Sequence, residues 1–95
     1  MAKRYMVKVT YTATKLHPHE KEGTKQIWLC GKDEVGSLVQ IDEQGNAIGS
    51  AVGVEFYVRE HGFKRRHFAE KKAGECYMCG NLYWNCVGEV VEFEV

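Results

Sequence analysis

Ser50-Ala51-Val52-Gly53-Val54-Glu55-Phe56-Tyr57-Val58-Arg59-Glu60-His61-Gly62-Phe63 is the stretch on which the fold turns. Val52, Val54, Phe56 and Val58 alternate as in a strand, whereas Ala51, Val54, Tyr57 and Val58 fall along one side of a helix. The first reading keeps the chain all-β up to this point; the second makes it an α+β domain. The ending favours the helix. Gly62 after Arg59-Glu60-His61 is the expected left-handed stop, and Phe63 sits where a Schellman motif places its apolar contact. Ser50 is then the expected N-cap, with the helix running to His61. A strand over 51–61 stays open as the competing reading.

Working outward, a second helix is expected from Lys64 to Ala73, closing at Gly74 and burying Phe68 and Ala69. Upstream, residues 5–13 alternate with Tyr5, Val7, Val9 and Tyr11 on one side and Met6, Lys8, Thr10 and Thr12 on the other, which predicts a strand. The polar run around His17-Pro18-His19 predicts an exposed loop, and Lys25 to Cys30 a second strand ended by Gly31 and the turn Lys32-Asp33-Glu34. Val35 to Ile41 fits neither period cleanly; a short strand near Leu38 to Asp42, a turn at Glu43-Gln44-Gly45-Asn46 and a brief return through Ala47 and Ile48 are expected. Asp42-x-Gln44-x-Asn46 resembles the opening of a calcium loop, but its glycine falls early and Gly53 stands where the bidentate glutamate belongs, which excludes calcium.

Leu82 to Val95 is rich in β formers, yet its apolar set changes parity from Leu82, Trp84, Cys86 to Val91, Phe93, Val95. One extra residue at Val87-Gly88, a β-bulge, would put both sets on a single face. The expected architecture is α+β: a small antiparallel sheet with two consecutive helices packed on one face, in the order β-β-(β)-α-α-β, the last strand returning beside the first.

Composition bounds what such a domain does. With 95 residues, 13 Lys and Arg against 13 Asp and Glu, 44% hydrophobic content and one proline, the chain is expected to be one domain with a single core. No run approaches the ~18 apolar residues of a membrane span. Met1-Ala2-Lys3-Arg4 leads into a strand without an apolar signal region, so a cytoplasmic protein with reduced thiols is expected. A net charge of zero offers no global field towards nucleic acid.

Two motifs carry chemistry. Cys76-Tyr77-Met78-Cys79-Gly80 has the spacing with which two thiolates clasp one zinc ion, and it resembles the knuckle of zinc-ribbon and rubredoxin-like proteins. No second pair follows, so a structural zinc would draw on Cys30, Cys86 or His67 beside Cys76 and Cys79. The alternative is that the cysteines pack as small hydrophobes and no cofactor is held. A third reading, thiol redox chemistry at Cys76 and Cys79, expects the pair after a strand and at a helix N-terminus; here it follows a helix and precedes a strand.

The other motif is the run 61–72, where Lys64, Arg65, Arg66, Lys71 and Lys72 face only Glu70, a net +4 that leaves −4 on the rest. It reads either as a solvated helix face or as a surface for phosphate or an acidic partner. A helix-turn-helix reading is disfavoured by the short connection. Trp28, Tyr77, Tyr83 and Trp84 are more aromatics than a small sheet hides, so Trp28 and Trp84 are candidates for partner contact. No nucleophile elbow, phosphate loop or His-Glu metal motif is present, and the four histidines form no catalytic pattern.

The pattern Tyr57-Val58-x-x-x-Gly62-Phe63, then a Lys/Arg-rich helix, then a Trp-containing segment ending in Glu-x-Val, resembles short uncharacterised proteins of Gram-positive gut bacteria and their mobile elements. The resemblance implies the helix-glycine-helix-strand ending and an intracellular location, and it implies no activity. The expectation that follows is a small binding module that recognises another protein through exposed aromatics and the basic helix. A zinc-stabilised module touching nucleic acid through residues 61–72 is the alternative.

Overall fold

The alternating stretch that begins the chain is β1 (Lys3–Ala13), and everything else is arranged around it. In the computed structural model, which describes residues 2–33, 38–76 and 80–95, β2 (Lys25–Cys30), β3 (Val39–Ile41) and β4 (Ala47–Ile48) follow. Helices α1 (Val54–His61) and α2 (Arg66–Glu75) come next, and β5 (Trp84–Glu94) closes the chain. The strands form one antiparallel sheet in the order β4-β3-β2-β1-β5. The α+β class and the return of the last strand beside the first are as expected. The readings of Glu34, Val35 and Ser37, and of Tyr77, Met78 and Cys79, fall outside the described residues.

Each helix covers a different face of the sheet. Met6, Ile27, Leu29, Val39 and Ile41 are buried together with Val58 of α1, whereas Val7, Val9 and Cys30 are buried with Ala69 of α2 and with Cys76. Met6 and Val7 are consecutive on β1 and therefore point to opposite sides. The expected packing of both helices on one face is thus corrected: both faces are apolar, and each takes one helix. The parity change in β5 has the same origin. Cys86 and Val90 join the α2 side and Phe93 and Val95 the α1 side. Pairing with β1 runs unbroken from Lys3 opposite Glu94 to Ala13 opposite Trp84, so the expected bulge at Val87-Gly88 does not form.

The 50–63 stretch is helical, but its caps differ from expectation. Gly53, not Ser50, is the N-cap; the Ser50 hydroxyl instead lies 2.8 Å from the Tyr57 hydroxyl and accepts the Val52 N–H. Gly62 is extended, at φ −67° and ψ 145°, rather than left-handed. The extended exit lets Phe63 exchange two backbone hydrogen bonds with Tyr5, at 2.8 and 2.9 Å, beyond the end of β2. Glycine is needed there for space, because a Cβ at position 62 would lie 2.5 Å from the Val58 carbonyl oxygen and 3.0 Å from the Arg4 Cβ.

α2 begins and ends two residues later than expected and runs through Gly74. Ala69, Ala73 and Cys76 meet the sheet, a spacing of four and three residues that defines one helical face. Phe68, one position off that face, is 51% exposed where burial was expected. The β3–β4 turn is closed by Asp42, whose carboxylate accepts the N–H groups of Gln44 and Asn46, both at 2.9 Å, while Gly45 takes φ 88°. The acidic pattern there serves the turn.

A candidate anion-binding groove along α2

α2 leaves the sheet with a cationic outer side, and the chain entering it and the turn after β2 form the walls of an open groove of about 900 Å³. Phe63, Lys64 and Arg65 line it from the connection between the helices, Phe68, Lys71, Lys72 and Glu75 from α2, and Lys32 from the β2 turn. That is five cations against one carboxylate, with Phe63 half-buried and Phe68 open to solvent.

The cations divide into two groups. Lys72 is structural: its ammonium donates to the carbonyl oxygens of Gly31 at 2.6 Å and Asp33 at 3.0 Å and lies 6.0 Å from the Phe63 ring centre. Beside it the Nδ1–H of His61 donates to the Asp33 carboxylate, and the Lys32 N–H donates to the His61 carbonyl at 2.7 Å. The hydrogen bond from His61 is the main cause that holds the Asp33 carboxyl below the ordinary carboxylate range, helped by the charges of His61, Lys32 and Lys72. Together these bonds join the end of α1, the turn after β2 and the middle of α2.

Lys32, Lys64, Arg65 and Lys71 behave differently. Among the described residues none of the four meets a carboxylate, whereas Lys3, Lys8, Arg59 and Arg66 each pair with a glutamate. Arg66, although in the same basic run, donates to Glu70 at 2.8 Å and lies 6.0 Å from the Tyr5 ring centre, away from the groove lining. The groove therefore gathers Lys64, Arg65 and Lys71, which form no ion pair with a described carboxylate, beside Lys32, which acts on Asp33 only at longer range.

Other residues singled out by the sequence lie elsewhere. Trp28, opposite Val9 on β1, and Trp84, opposite Ala13, are half-buried. Four residues along β1 and two strands across place them about 16 Å apart. Trp84 packs instead with Tyr11 and with His17, whose ring centre is 4.9 Å away. Phe63, Phe68 and Lys32 take the aromatic and outer cationic places that sequence reasoning had not given them. The cue was the Ala69, Ala73, Cys76 spacing, which turns Phe68 away from the sheet.

The cysteines divide in the same way. Cys30 and Cys76 are both buried on the α2 side, and the Cys76 side chain rests on Gly88. Register puts the Cα of Cys30 about 12 Å from that of Gly88 and about 16 Å from that of Cys86. His67 is exposed near the start of α2, about 13 Å along the helix from Cys76. A zinc ion needs its sulfur ligands within about 5 Å of one another. By these backbone spacings the Cα atoms of Cys30 and His67 stand apart from Cys76, and Cys79 lies outside the described residues. Among the described residues no group of three metal-ligating side chains converges. Cys76 stands at the C-terminal end of α2, opposite the end where a helix dipole favours a thiolate.

No protein-family description, curated protein or solved structure matches the chain. Among the described residues no helix is long and apolar enough to cross a membrane.

Proposed function

We propose that the protein is a small non-enzymatic binding module that takes an acidic segment of a partner protein in the α2 groove. The observation that carries this is the gathering of Lys64, Arg65 and Lys71, none in an ion pair with a described carboxylate, with Lys32 around two phenylalanine rings. Such a surface suits a peptide alternating acidic and apolar side chains: carboxylates meet the ammonium and guanidinium groups while an apolar side chain covers Phe68. Glu75 at the groove and the glutamates of neighbouring β5 disfavour a long polyanion running past it.

A second reading, contact with single-stranded nucleic acid, is favoured by one feature. The His67 and Phe68 rings lie with centres 4.1 Å apart on the exposed side of α2, a surface on which a base stacks. One assay separates the two. A fluorescein-labelled peptide of alternating Glu and Leu is expected to bind at low salt, to weaken as salt rises, and to be lost on the double change Lys64→Glu and Lys71→Glu. An oligothymidine is expected not to bind under the same conditions. No peptide binding at low salt sinks the proposal, and oligothymidine binding that depends on the same lysines replaces it with the nucleic-acid reading.

A further inference from the structure

β5 forms one margin of the sheet, and its free side is unusually well prepared for pairing. Tyr5 spends both backbone groups on Phe63, and Ala13 spends its own on Gly23 and Thr24, so the odd residues of β1 bond away from β5. Ala2 and Val95 exchange bonds with each other. In an antiparallel pair this parity fixes the rest: the odd residues of β5 bond to β1, and the even ones aim N–H and C=O outward. Trp84 is closed by Asn81, whose N–H bonds the Trp84 carbonyl and whose side chain accepts the Trp84 N–H. Among the described residues the outward groups of Gly88, Val90, Glu92 and Glu94 meet no partner.

Of the usual guards of a sheet margin this strand has only charge, in its glutamates: β5 has no proline, no lysine and no bulge, and it runs for 11 residues. Val87, on the side away from α2, is 64% exposed. The question is what lies against this edge, and the order of its residues selects one occupant. Only one antiparallel register pairs all four outward residues with the same four of a second copy, the one with its two-fold axis at Val91. Gly88 then faces Glu94 and Val90 faces Glu92. On the other side of the strand Glu89 faces Phe93, and the exposed Val87 faces Val95. No glutamate stands directly opposite another, although the strand carries three of them, Glu89, Glu92 and Glu94. Shifting the register by two residues in one direction sets Glu92 against Glu92; shifting it in the other leaves Glu94 to pair with Cys86, towards the end that Asn81 closes.

We propose that two copies of this chain pair through β5 in this register, joining their sheets into one continuous ten-stranded sheet with a two-fold axis. The interface is isologous, and each facing pair exchanges two backbone bonds. It leaves both α2 grooves outside the contact, so it does not depend on the ligand proposed for them.

The test is the mass of the full-length protein by sedimentation equilibrium over a range of concentrations, for wild type and Glu92→Pro. Proline at 92 removes an outward N–H and the exposed Lys3–Glu92 ion pair but no backbone bond to β1, so the β1 ladder survives and the far-ultraviolet circular dichroism should be unchanged. Wild type is expected to dimerise, and Glu92→Pro to raise the dissociation constant tenfold or more. Should Glu92→Pro fail to fold, amide exchange in wild type decides: the Val90 and Glu92 amides exchange more slowly in concentrated than in dilute solution. A wild-type monomer at all concentrations overturns the proposal, as does a folded Glu92→Pro dimer of wild-type affinity or exchange rates that ignore concentration. Pairing of the β5 edge with a foreign strand in a wild-type monomer overturns it equally.

Discussion

The ammonium of Lys72 crosses from α2 to the carbonyl oxygen of Gly31, 2.6 Å away, at the point where β2 ends. A second bond to the Asp33 carbonyl at 3.0 Å holds the following turn against the helix. Both acceptors are backbone groups at the end of a strand, where the sheet no longer supplies a donor. Hydrogen bonds from a charged donor are among the stronger ones, and partial exposure reduces their net value. Lys72→Met keeps the side-chain stem and removes both bonds; it is expected to lower stability by about 1–2 kcal/mol, read as a shift of the urea midpoint. An unchanged midpoint would mean that the turn is held by other contacts.

The same corner predicts an acid response. The His61 Nδ1–H bond keeps the Asp33 carboxyl below the ordinary range, so the folded protein takes up that proton less readily than the unfolded chain. The contribution is fully present above about pH 4, near the unfolded aspartate value, and fades as pH falls through the lower folded value. The stability difference between wild type and Asp33→Asn should therefore shrink as pH falls below about 4. Denaturant titrations at several pH values measure it, and a gap that widens on acidification would contradict the assignment.

Cys76 lies directly over Gly88 where the end of α2 meets β5. A Cβ at position 88 would lie 2.8 Å from both the Cβ and the Sγ of Cys76 and 2.9 Å from the Ala73 carbonyl oxygen. The thiol can shift, but the carbonyl belongs to the helix backbone and moves only with α2. Gly88→Ala is accordingly expected to destabilise by about 2 kcal/mol, within the usual range for overpacking. Adding Cys76→Ala should recover only part of the loss. Thermal unfolding of the single and double variants gives both numbers, and complete recovery would show that the carbonyl contact is harmless.

These relations explain which features could be read along the chain and which could not. The strand at 5–13, the β3–β4 turn and the helix ending at His61 are local patterns, set by alternation, by Asp42 and Gly45, and by the 51–58 periodicity. The faces used by the two helices depend on how far each strand is apolar on both sides. Met6 on one side and Val7 on the other of a single strand announce a doubly covered sheet, but their partners come from residues 58 and 69, far along the chain. The basic run was legible as charge. Its division into Lys72, which is spent on carbonyls, and Lys64, Arg65 and Lys71, which are not, and the addition of Lys32 from the β2 turn are tertiary facts. Gly62 was read as a conformational stop, whereas its need is space beside Arg4.

Zinc content offers a separate check on the placement of the cysteines. Register separates Cys30 from Gly88, and hence from the Cys76 thiol resting on it, by about 12 Å, and α2 separates His67 from Cys76 by about 13 Å. Cys30 is buried in one cluster with Val7, Val9, Ala69 and Cys76, so Cys30→Ser places a hydroxyl in an apolar setting and is expected to cost about 1–2 kcal/mol. His67→Ala, at an exposed position, should cost little. Elemental analysis of the purified protein should therefore give the same zinc content for wild type, Cys30→Ser and His67→Ala. Loss of bound zinc on either substitution in a folded protein would place that residue at the metal and contradict the strand register on which the separation rests.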